Sequence, residues 1–115
     1  MKMIWAVIRP ESTQQVIHAL DAAGIAGMTR LHVTGHGKDM GITIGAVHYT
    51  EIPKEMLMIV VPDGDVAKTV RIIRTEAKTG AKNSLDEGTI GDGKIFITYV
   101  DDTFAIRTAG KAGGT

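Results

Sequence analysis

The sequence contains no cysteine, which excludes disulfide bonds, thiolate metal sites and cysteine nucleophiles. It has no excess of positive charge, because thirteen Lys and Arg residues balance thirteen Asp and Glu residues. A protein that binds nucleic acid through its phosphates normally has such an excess. The longest apolar runs have about six residues, well short of the ~20 that a membrane helix needs, and no signal-peptide pattern opens the chain. We therefore expect a cytoplasmic protein that binds no nucleic acid and does not insert into a membrane.

The residues that are present fit one folded domain. The 115 residues are too few for two domains of ordinary size. Apolar residues make up 43% of them, which is enough for a packed core. We expect residues 1–115 to form a single domain.

The first half of the sequence follows the order strand, helix, strand. Residues 3–8 form a continuous apolar run that predicts a buried strand. Ser12 opens a capping-box pattern that predicts the start of a helix, and Gly24 suits the position just after its end. Residues 28–34 alternate and are rich in residues that favour strands.

The second half repeats this order. Residues 56–61 form another fully apolar run, and residues 95–100 predict the last strand. Between them, Asp65 can cap a helix with apolar residues at helical spacing, and Thr79 and Gly80 end it.

The two halves also share a short pattern after their first strands, since residues 8–11 (IRPE) are echoed by residues 60–63 (VVPD). A repeated strand-helix-strand order predicts an α+β fold of the ferredoxin-like split βαβ-βαβ type, with a four-stranded antiparallel sheet. Its two helices cover one face of the sheet, yet residues 3–8 and 56–61 are apolar at every position, which indicates cover on both faces. We therefore expect the chain to form an oligomer.

Three stretches show neither helical nor strand periodicity. Residues 38–54 contain two glycines and a proline and predict a long loop or a flexible hairpin. Residues 81–89 are polar and irregular. The glycine-rich residues 109–115 predict a flexible tail.

The most distinctive motif is Gly-x-Gly-Lys, which occurs at residues 35–38 and again at residues 91–94, in corresponding parts of the two halves. Two glycines allow backbone N–H groups to turn inward as an anion-binding nest, and the lysine adds a positive charge beside it. The spacing does not match a Walker A loop, and one isolated copy would indicate an ordinary turn. Two copies at strand ends favour a ligand that carries phosphate groups.

The other polar residues indicate no catalytic or metal site. The carboxylates lie near predicted caps and loops, where acidic residues are common, and no Ser-His-Asp arrangement stands out. The histidines lack the spacing of a zinc motif; they are His18, His32, His36 and His48. We expect a protein that is not an enzyme.

These residues resemble the PII signal-transduction family. The resemblance extends in order from residue 1 to about residue 108, and residues 90–96 (IGDGKIF) carry it most specifically. The other matching segments are Arg9 with Pro10, and residues 24–29, 35–38, 53–54, 60–63 and 106–108. The resemblance implies a homotrimer with a nucleotide in each cleft between subunits. It also implies a mobile T-loop at residues 37–55 and an extended loop at residues 80–90, before the GDGK motif.

For ATP or ADP, the resemblance implies a cleft with residues from two subunits. One subunit would contribute Gly35, Gly37, Lys38, Val60, Gly91, Asp92, Gly93 and Lys94. The neighbouring subunit would contribute Thr29 and Arg107. Lys38 stands where the family usually has an Arg, and Ala105 stands where it has a second phosphate-binding Arg, so one positive contact is missing.

For 2-oxoglutarate, the resemblance implies a site at the base of the T-loop, formed by Gly37, Lys38, Asp39, Met40, Gly41 and Lys54. Lys54 matches the lysine of the family, whereas Asp39 replaces its glutamine. A carboxylate at this position suits Mg²⁺, a hard cation that prefers oxygen ligands. The bound metal would shield the keto-acid from the negative charge of Asp39.

The T-loop is shorter than in common members, and the extra polar residues 81–89 resemble the nitrogen-fixation-specific branch, closest to the first of its paired paralogues. This implies an allosteric regulator that controls nitrogenase by direct T-loop-mediated binding, as a homotrimer alone or together with the second paralogue. Two alternatives stay open. One is a PII paralogue acting on another target such as an ammonium channel, and the other is a small ferredoxin-like nucleotide-phosphate hydrolase.

Overall fold

The computed structural model describes residues 1–36, 42–44, 47–49, 51–80, 88–89 and 91–110. Within these residues the elements follow in the order β1 (Lys2–Ile8), α1 (Thr13–Ala22), β2 (Thr29–Gly35), β3 (Ile42–Ile44), β4 (Val47–Tyr49), β5 (Ile52–Val61), α2 (Val66–Ala77) and β6 (Gly93–Tyr99). A single turn of 3₁₀-helix precedes each α-helix, at Pro10–Ser12 and at Asp63–Asp65.

The main sheet has four antiparallel strands in the order β2-β5-β1-β6, which places the two continuously apolar strands, β1 and β5, at its centre. Both helices pack against one face of this sheet. The arrangement is the expected ferredoxin-like α+β fold. Strands β3 and β4 form a separate antiparallel pair, so a hairpin lies within residues 38–54.

The core lies between the sheet and the two helices. Alternate residues of β1 and β5 are buried in it, together with one side of each helix. Removing a large apolar side chain from water stabilises the fold by about 1.5–3 kcal/mol, so this layer is the main source of stability. Its largest apolar members are Ile4, Ile8, Val16, Leu20, Leu57, Ile59 and Ile73.

The other face of the sheet is apolar and has no covering layer among the described residues. At its centre Trp5 lies in register between Met58 of β5 and Phe96 of β6, and Leu31 of β2 lies opposite Met56. Phe96 is 53% exposed and Leu31 is 37% exposed. Adjoining exposed apolar side chains are typical of an interaction surface. We call this surface the open face; it agrees with the expectation that both faces of β1 and β5 need cover.

The helix starts lie where they were expected but are capped differently. Ser12 and Asp65 are the N-cap residues, yet neither side chain makes a capping hydrogen bond. Instead, the backbone N–H of Ser12 donates to Arg9 and that of Asp65 donates to Pro62. Each residue thus closes the preceding 3₁₀ turn. The prediction that the Ser12 side chain forms a capping-box hydrogen bond is therefore wrong, although Ser12 does mark the start of the helix.

Gly24 ends α1 as predicted. Its φ is +85°, and its N–H donates to the carbonyl of Asp21, while the N–H of Ile25 donates to Leu20. These bonds form a Schellman motif, in which glycine is favoured because it adopts positive φ without steric cost.

Strand β5 begins at Ile52, whereas the apolar pattern predicted a start at residue 56. Lys54 and Glu55 interrupt that pattern, but they pair in register with Val33 and His32 of β2. The last residues of the predicted T-loop range thus belong to the main sheet. Proline is tolerated at position 53 because β1 ends opposite Glu55, which leaves β5 with one neighbour there.

Parts of three predicted segments lie outside the described residues: 37–41, 45–46 and 50 of the T-loop, 81–87 and 90 of the extended loop, and 111–115 of the tail. Among the helices that the structure describes, none is both long enough and apolar enough to cross a membrane.

Candidate functional site

A glycine from each of the two motifs lies at the same end of the sheet. Gly35 is the last residue of β2 and pairs with Ile52 at the start of β5. Gly93 is the first residue of β6 and pairs with Ile8 at the end of β1, and Ile8 also pairs with Glu55. Since β2 and β6 are the edge strands, Gly35 and Gly93 lie on opposite edges of one end of the sheet, which we call the motif end.

Lys54 connects the two motifs across the motif end. The residue is only 8% exposed, and its Nζ donates a hydrogen bond to the backbone carbonyl of Gly91. Its stem runs beside Gly35, where an added Cβ would lie 2.9 Å from Cγ of Lys54. Because a buried ammonium group needs polar partners, this arrangement keeps a positive charge between the two motifs.

Residues 91–94 form a turn that requires glycine at two positions. The backbone angle φ is +98° at Gly91 and +122° at Gly93, whereas it is not positive at Asp92 between them. An added Cβ on Gly93 would overlap the carbonyl oxygen of Val7 in β1. Alternating signs of φ are found in backbone nests that bind anions. The exposed side chain of Lys94 adds positive charge beside this turn.

The carboxylate of Asp92 accepts hydrogen bonds from three other parts of the chain. Its Oδ1 accepts from Nε of Arg9 at 3.1 Å and from the hydroxyl of Thr79 at 2.7 Å. Its Oδ2 accepts from the backbone N–H groups of Thr79 at 3.0 Å and Thr89 at 2.8 Å. Arg9 follows β1 and Thr79 follows α2, so these bonds tie the turn at residues 91–94 to the ends of both elements.

These hydrogen bonds make Asp92 a source of acid-sensitive stability. Burial alone would raise the pKa of Asp92, but the bonds from Thr79, Thr89 and Arg9 outweigh burial and lower the pKa to about 2. Because this folded-state pKa lies below the unfolded value near 3.8, the stabilisation is present above the unfolded pKa and is lost as the pH falls through the folded one. The shift corresponds to about 2–3 kcal/mol at neutral pH.

We predict that Asp92→Asn lowers the free energy of unfolding at pH 7 by about 2–3 kcal/mol. The amide loses the negative charge and directs an NH₂ donor at groups that are themselves donors. Urea unfolding between pH 7 and pH 2 is the measurement, with Asp101→Asn at an exposed position as the control. The difference from wild type should shrink below about pH 4. A difference that stays constant down to pH 2 would contradict the assignment.

A second charged cluster lies behind the motif end, on the helix-covered face. The side chain of Glu55 is 4% exposed. Its carboxylate accepts two hydrogen bonds from the guanidinium of Arg30 in β2, from Nε to Oε2 and from Nη2 to Oε1, the second at 2.7 Å. Nδ1 of His32 lies 3.6 Å from the same carboxylate. The Arg30 guanidinium is the main reason that the pKa of Glu55 lies below its ordinary value, and burial partly opposes it. This pair joins β2 to β5 directly behind Lys54.

Two of the predicted nucleotide-binding residues lie away from the motif end within one chain. Thr29 begins β2 opposite Met58, and Val60 lies near the end of β5. Thr29 lies six positions along β2 from Gly35, and Val60 lies six positions along β5 from Lys54. Each separation is about 20 Å at 3.3 Å per residue. Arg107 is exposed in the segment after β6. The structure thus brings together residues 91–94 and Lys54, with Gly35 beside them, but not Thr29 or Val60.

The remaining predicted site residues are Gly37, Lys38, Asp39, Met40 and Gly41, and all five lie outside the described residues. They include Asp39, the expected Mg²⁺ ligand. In the described ranges, no three or more His, Cys, Asp or Glu residues form a group that could hold a metal ion.

The residue pairs that hold the motif end together could not be identified from the sequence. Arg9 and Asp92 are 83 positions apart, and Arg30 and Glu55 are 25 apart, so no local pattern points to either pair. A usable signal for the second pair was strand alternation. Once β5 is extended to Ile52, Glu55 falls on the same face as Leu57 and has to be buried.

Comparison with known protein families agrees with the motifs. The family model described as "Nitrogen regulatory protein P-II" matches residues 1–110. The chain belongs to the P-II family. The resemblance that residues 90–96 carry most specifically is therefore confirmed. P-II proteins are regulatory signalling proteins, and they are generally trimers.

Curated relatives of this P-II chain match along nearly its full length. The "Nitrogen fixation nifHD region GlnB-like protein 1" of Methanothermobacter marburgensis is 44% identical over 108 residues, which cover 94% of this chain and 95% of the relative. A protein of the same name from Methanococcus maripaludis is 41% identical with the same coverage. The "Nitrogen regulatory protein P-II 2" of Methanothermobacter thermautotrophicus is 44% identical and covers 98% of this chain and 94% of the relative.

Proposed function

We propose that this P-II protein is a cytoplasmic nitrogen-regulatory signalling protein. In the proposal it binds ATP or ADP and 2-oxoglutarate in clefts between the subunits of a homotrimer, and it controls nitrogenase through its T-loop. The observation that carries the proposal is the motif end of the sheet. There the turn at residues 91–94 has the alternating signs of φ of an anion-binding nest, and the exposed Lys94 and the buried Lys54 add positive charge beside it.

The proposed nucleotide cleft needs more than one chain. Thr29 lies away from the motif end of its own chain, so in the proposal the neighbouring subunit supplies it, together with Arg107. The open face, centred on Trp5, Met58 and Phe96, supplies apolar surface that association would bury. Val60 belongs to the same face, because it pairs with Met3. Association of subunits through the open face would therefore also form the nucleotide cleft.

The proposed effector site depends on two charged residues. The ammonium of Lys54 now donates to the carbonyl of Gly91, and a carboxylate of 2-oxoglutarate would be a stronger, charge-assisted acceptor. Asp39 offers the anionic oxygen that Mg²⁺ prefers. The metal would supply positive charge between Asp39 and the anionic ligands. The other residues proposed for this site are Gly37, Lys38, Met40 and Gly41.

The proposed target follows from the relatives, several of which are named nitrogen fixation nifHD region proteins. An ammonium channel is the second candidate target, but residues 42–47 contain no Lys or Arg that could enter a pore. Nucleotide-phosphate hydrolysis is the candidate outside signalling. Following phosphate release from ATP separates it from binding, because a binder releases none.

The nucleotide site is tested by Lys94→Ala. We expect ATP to bind about ten- to a hundredfold more weakly, because the variant loses a charge-assisted hydrogen bond that is worth about 1.5–3 kcal/mol. Isothermal titration calorimetry measures the affinity. Lys68→Ala, which removes a positive charge from α2, is the control and should bind ATP like the wild type. An unchanged affinity in a trimeric Lys94→Ala variant would show that the site is wrong.

A further inference from the structure

The lone-pair positions of the Asp92 carboxylate are all occupied by hydrogen bonds from described residues. A carboxylate offers about four lone-pair positions. The four donors are Nε of Arg9, both the N–H and the hydroxyl of Thr79, and the N–H of Thr89. The carboxylate is also negative, so it repels phosphate oxygens. A role in direct contact with an anionic ligand is therefore unfavourable for this side chain.

The turn is instead built around this carboxylate. An added Cβ on Gly88 would overlap Oδ2 of Asp92, so glycine at that position leaves room for the side chain. The N–H of Asp92 donates to the carbonyl of Thr89 at 3.1 Å, and the N–H of Thr89 donates back to Oδ2. Thr79 reaches the same carboxylate from the end of α2 with two further bonds. The aspartate thereby fixes the backbone on both sides of Gly91.

We infer that Asp92, held by Thr79, is a positioning residue that keeps residues 91–94 in the conformation that receives the phosphate groups of a nucleotide, without touching the ligand. The inference rests on the proposed nucleotide function, and it adds which bonds hold the turn in the conformation that binds the ligand. Without the bonds from Thr79 the turn samples other conformations. The apparent affinity then falls in proportion to the fraction that remains competent to bind.

Thr79→Val tests the inference, because valine keeps the branched shape and removes only the hydroxyl donor. We expect ATP to bind about tenfold more weakly, the lower end of what loss of an outer-shell hydrogen bond costs at metal sites. Thr79→Ser restores the hydroxyl and should restore most of the affinity. Thr69→Val is the matched control, since Thr69 is buried and its hydroxyl donates to the carbonyl of Asp65 at 2.7 Å, away from the turn.

Amide hydrogen exchange of the nucleotide-free protein separates positioning from general stability. We expect faster exchange at residues 91–94 in Thr79→Val and not in Thr69→Val. Unchanged ATP affinity in Thr79→Val overturns the inference whatever the exchange rates are. An equal loss of affinity in Thr69→Val overturns it as well, because general destabilisation would then explain both variants. A wild-type protein that binds no ATP overturns the proposed function itself, which is a distinct result.

Discussion

Replacing Gly93 with alanine is expected to destabilise the protein by about 2–6 kcal/mol. The φ of +122° at this position is strained for any residue with a Cβ, at a cost of about 1–3 kcal/mol. The new Cβ would also overlap the carbonyl oxygen of Val7, and that strand is central, so it cannot move without disturbing its pairing with β5. Overpacking of this kind costs about 1–3 kcal/mol more.

Chemical denaturation of Gly93→Ala and Gly64→Ala measures this effect with a matched control. Gly64 lies in the 3₁₀ turn before α2, its φ is not positive, and an added Cβ there meets open space. Gly64→Ala should therefore change the free energy of unfolding by less than about 1 kcal/mol. A Gly93→Ala variant as stable as the control would contradict the close approach between β6 and β1.

A charge in the centre of the open face is expected to convert the proposed trimer into a folded monomer. Met58 lies in register between Trp5 and Thr29, and it is only partly buried in the single chain. In Met58→Glu the carboxylate can stay hydrated in the monomer, so the chain should still fold. In the assembly it would be buried without a partner, at a cost of several kcal/mol for each subunit.

Light scattering gives the mass of Met58→Glu in solution, and far-UV circular dichroism shows whether it is folded. Gln15→Glu is the control, since it adds the same charge on the exposed side of α1. We expect the control to keep the mass of the wild type. A Met58→Glu protein that remains trimeric would show that the open face is not the interface between subunits.

The elements of the fold were largely predictable because local patterns determine them. Residues 3–8 and 56–61 are apolar at every position, and such runs form the two central strands, where both sides need apolar residues. The helix starts at Ser12 and Asp65 were also predictable in position. Their capping bonds were not, because the 3₁₀ turns before them satisfy the same backbone groups in another way.

The glycines of the motif end were predictable from the sequence, whereas the contacts that hold the motif end in place were not. Gly91 and Gly93 are visible as a motif, and both adopt the positive φ that the motif indicates. The bond from Lys54 to Gly91 spans 37 positions, and the pairing of β5 with β2 that places Lys54 is a tertiary effect on a polar segment. A single sequence carries no local signal for contacts over such distances.

Native mass spectrometry of the protein with ATP is the most direct test of nucleotide binding between subunits, because it measures the number of chains and the number of bound ATP molecules together. We expect a complex of three chains that takes up one ATP for each cleft between subunits, and we expect Lys94→Ala to lower the ATP occupancy and leave three chains. A monomer that binds ATP as well as any larger species, or a trimer that takes up none, would contradict nucleotide binding between subunits.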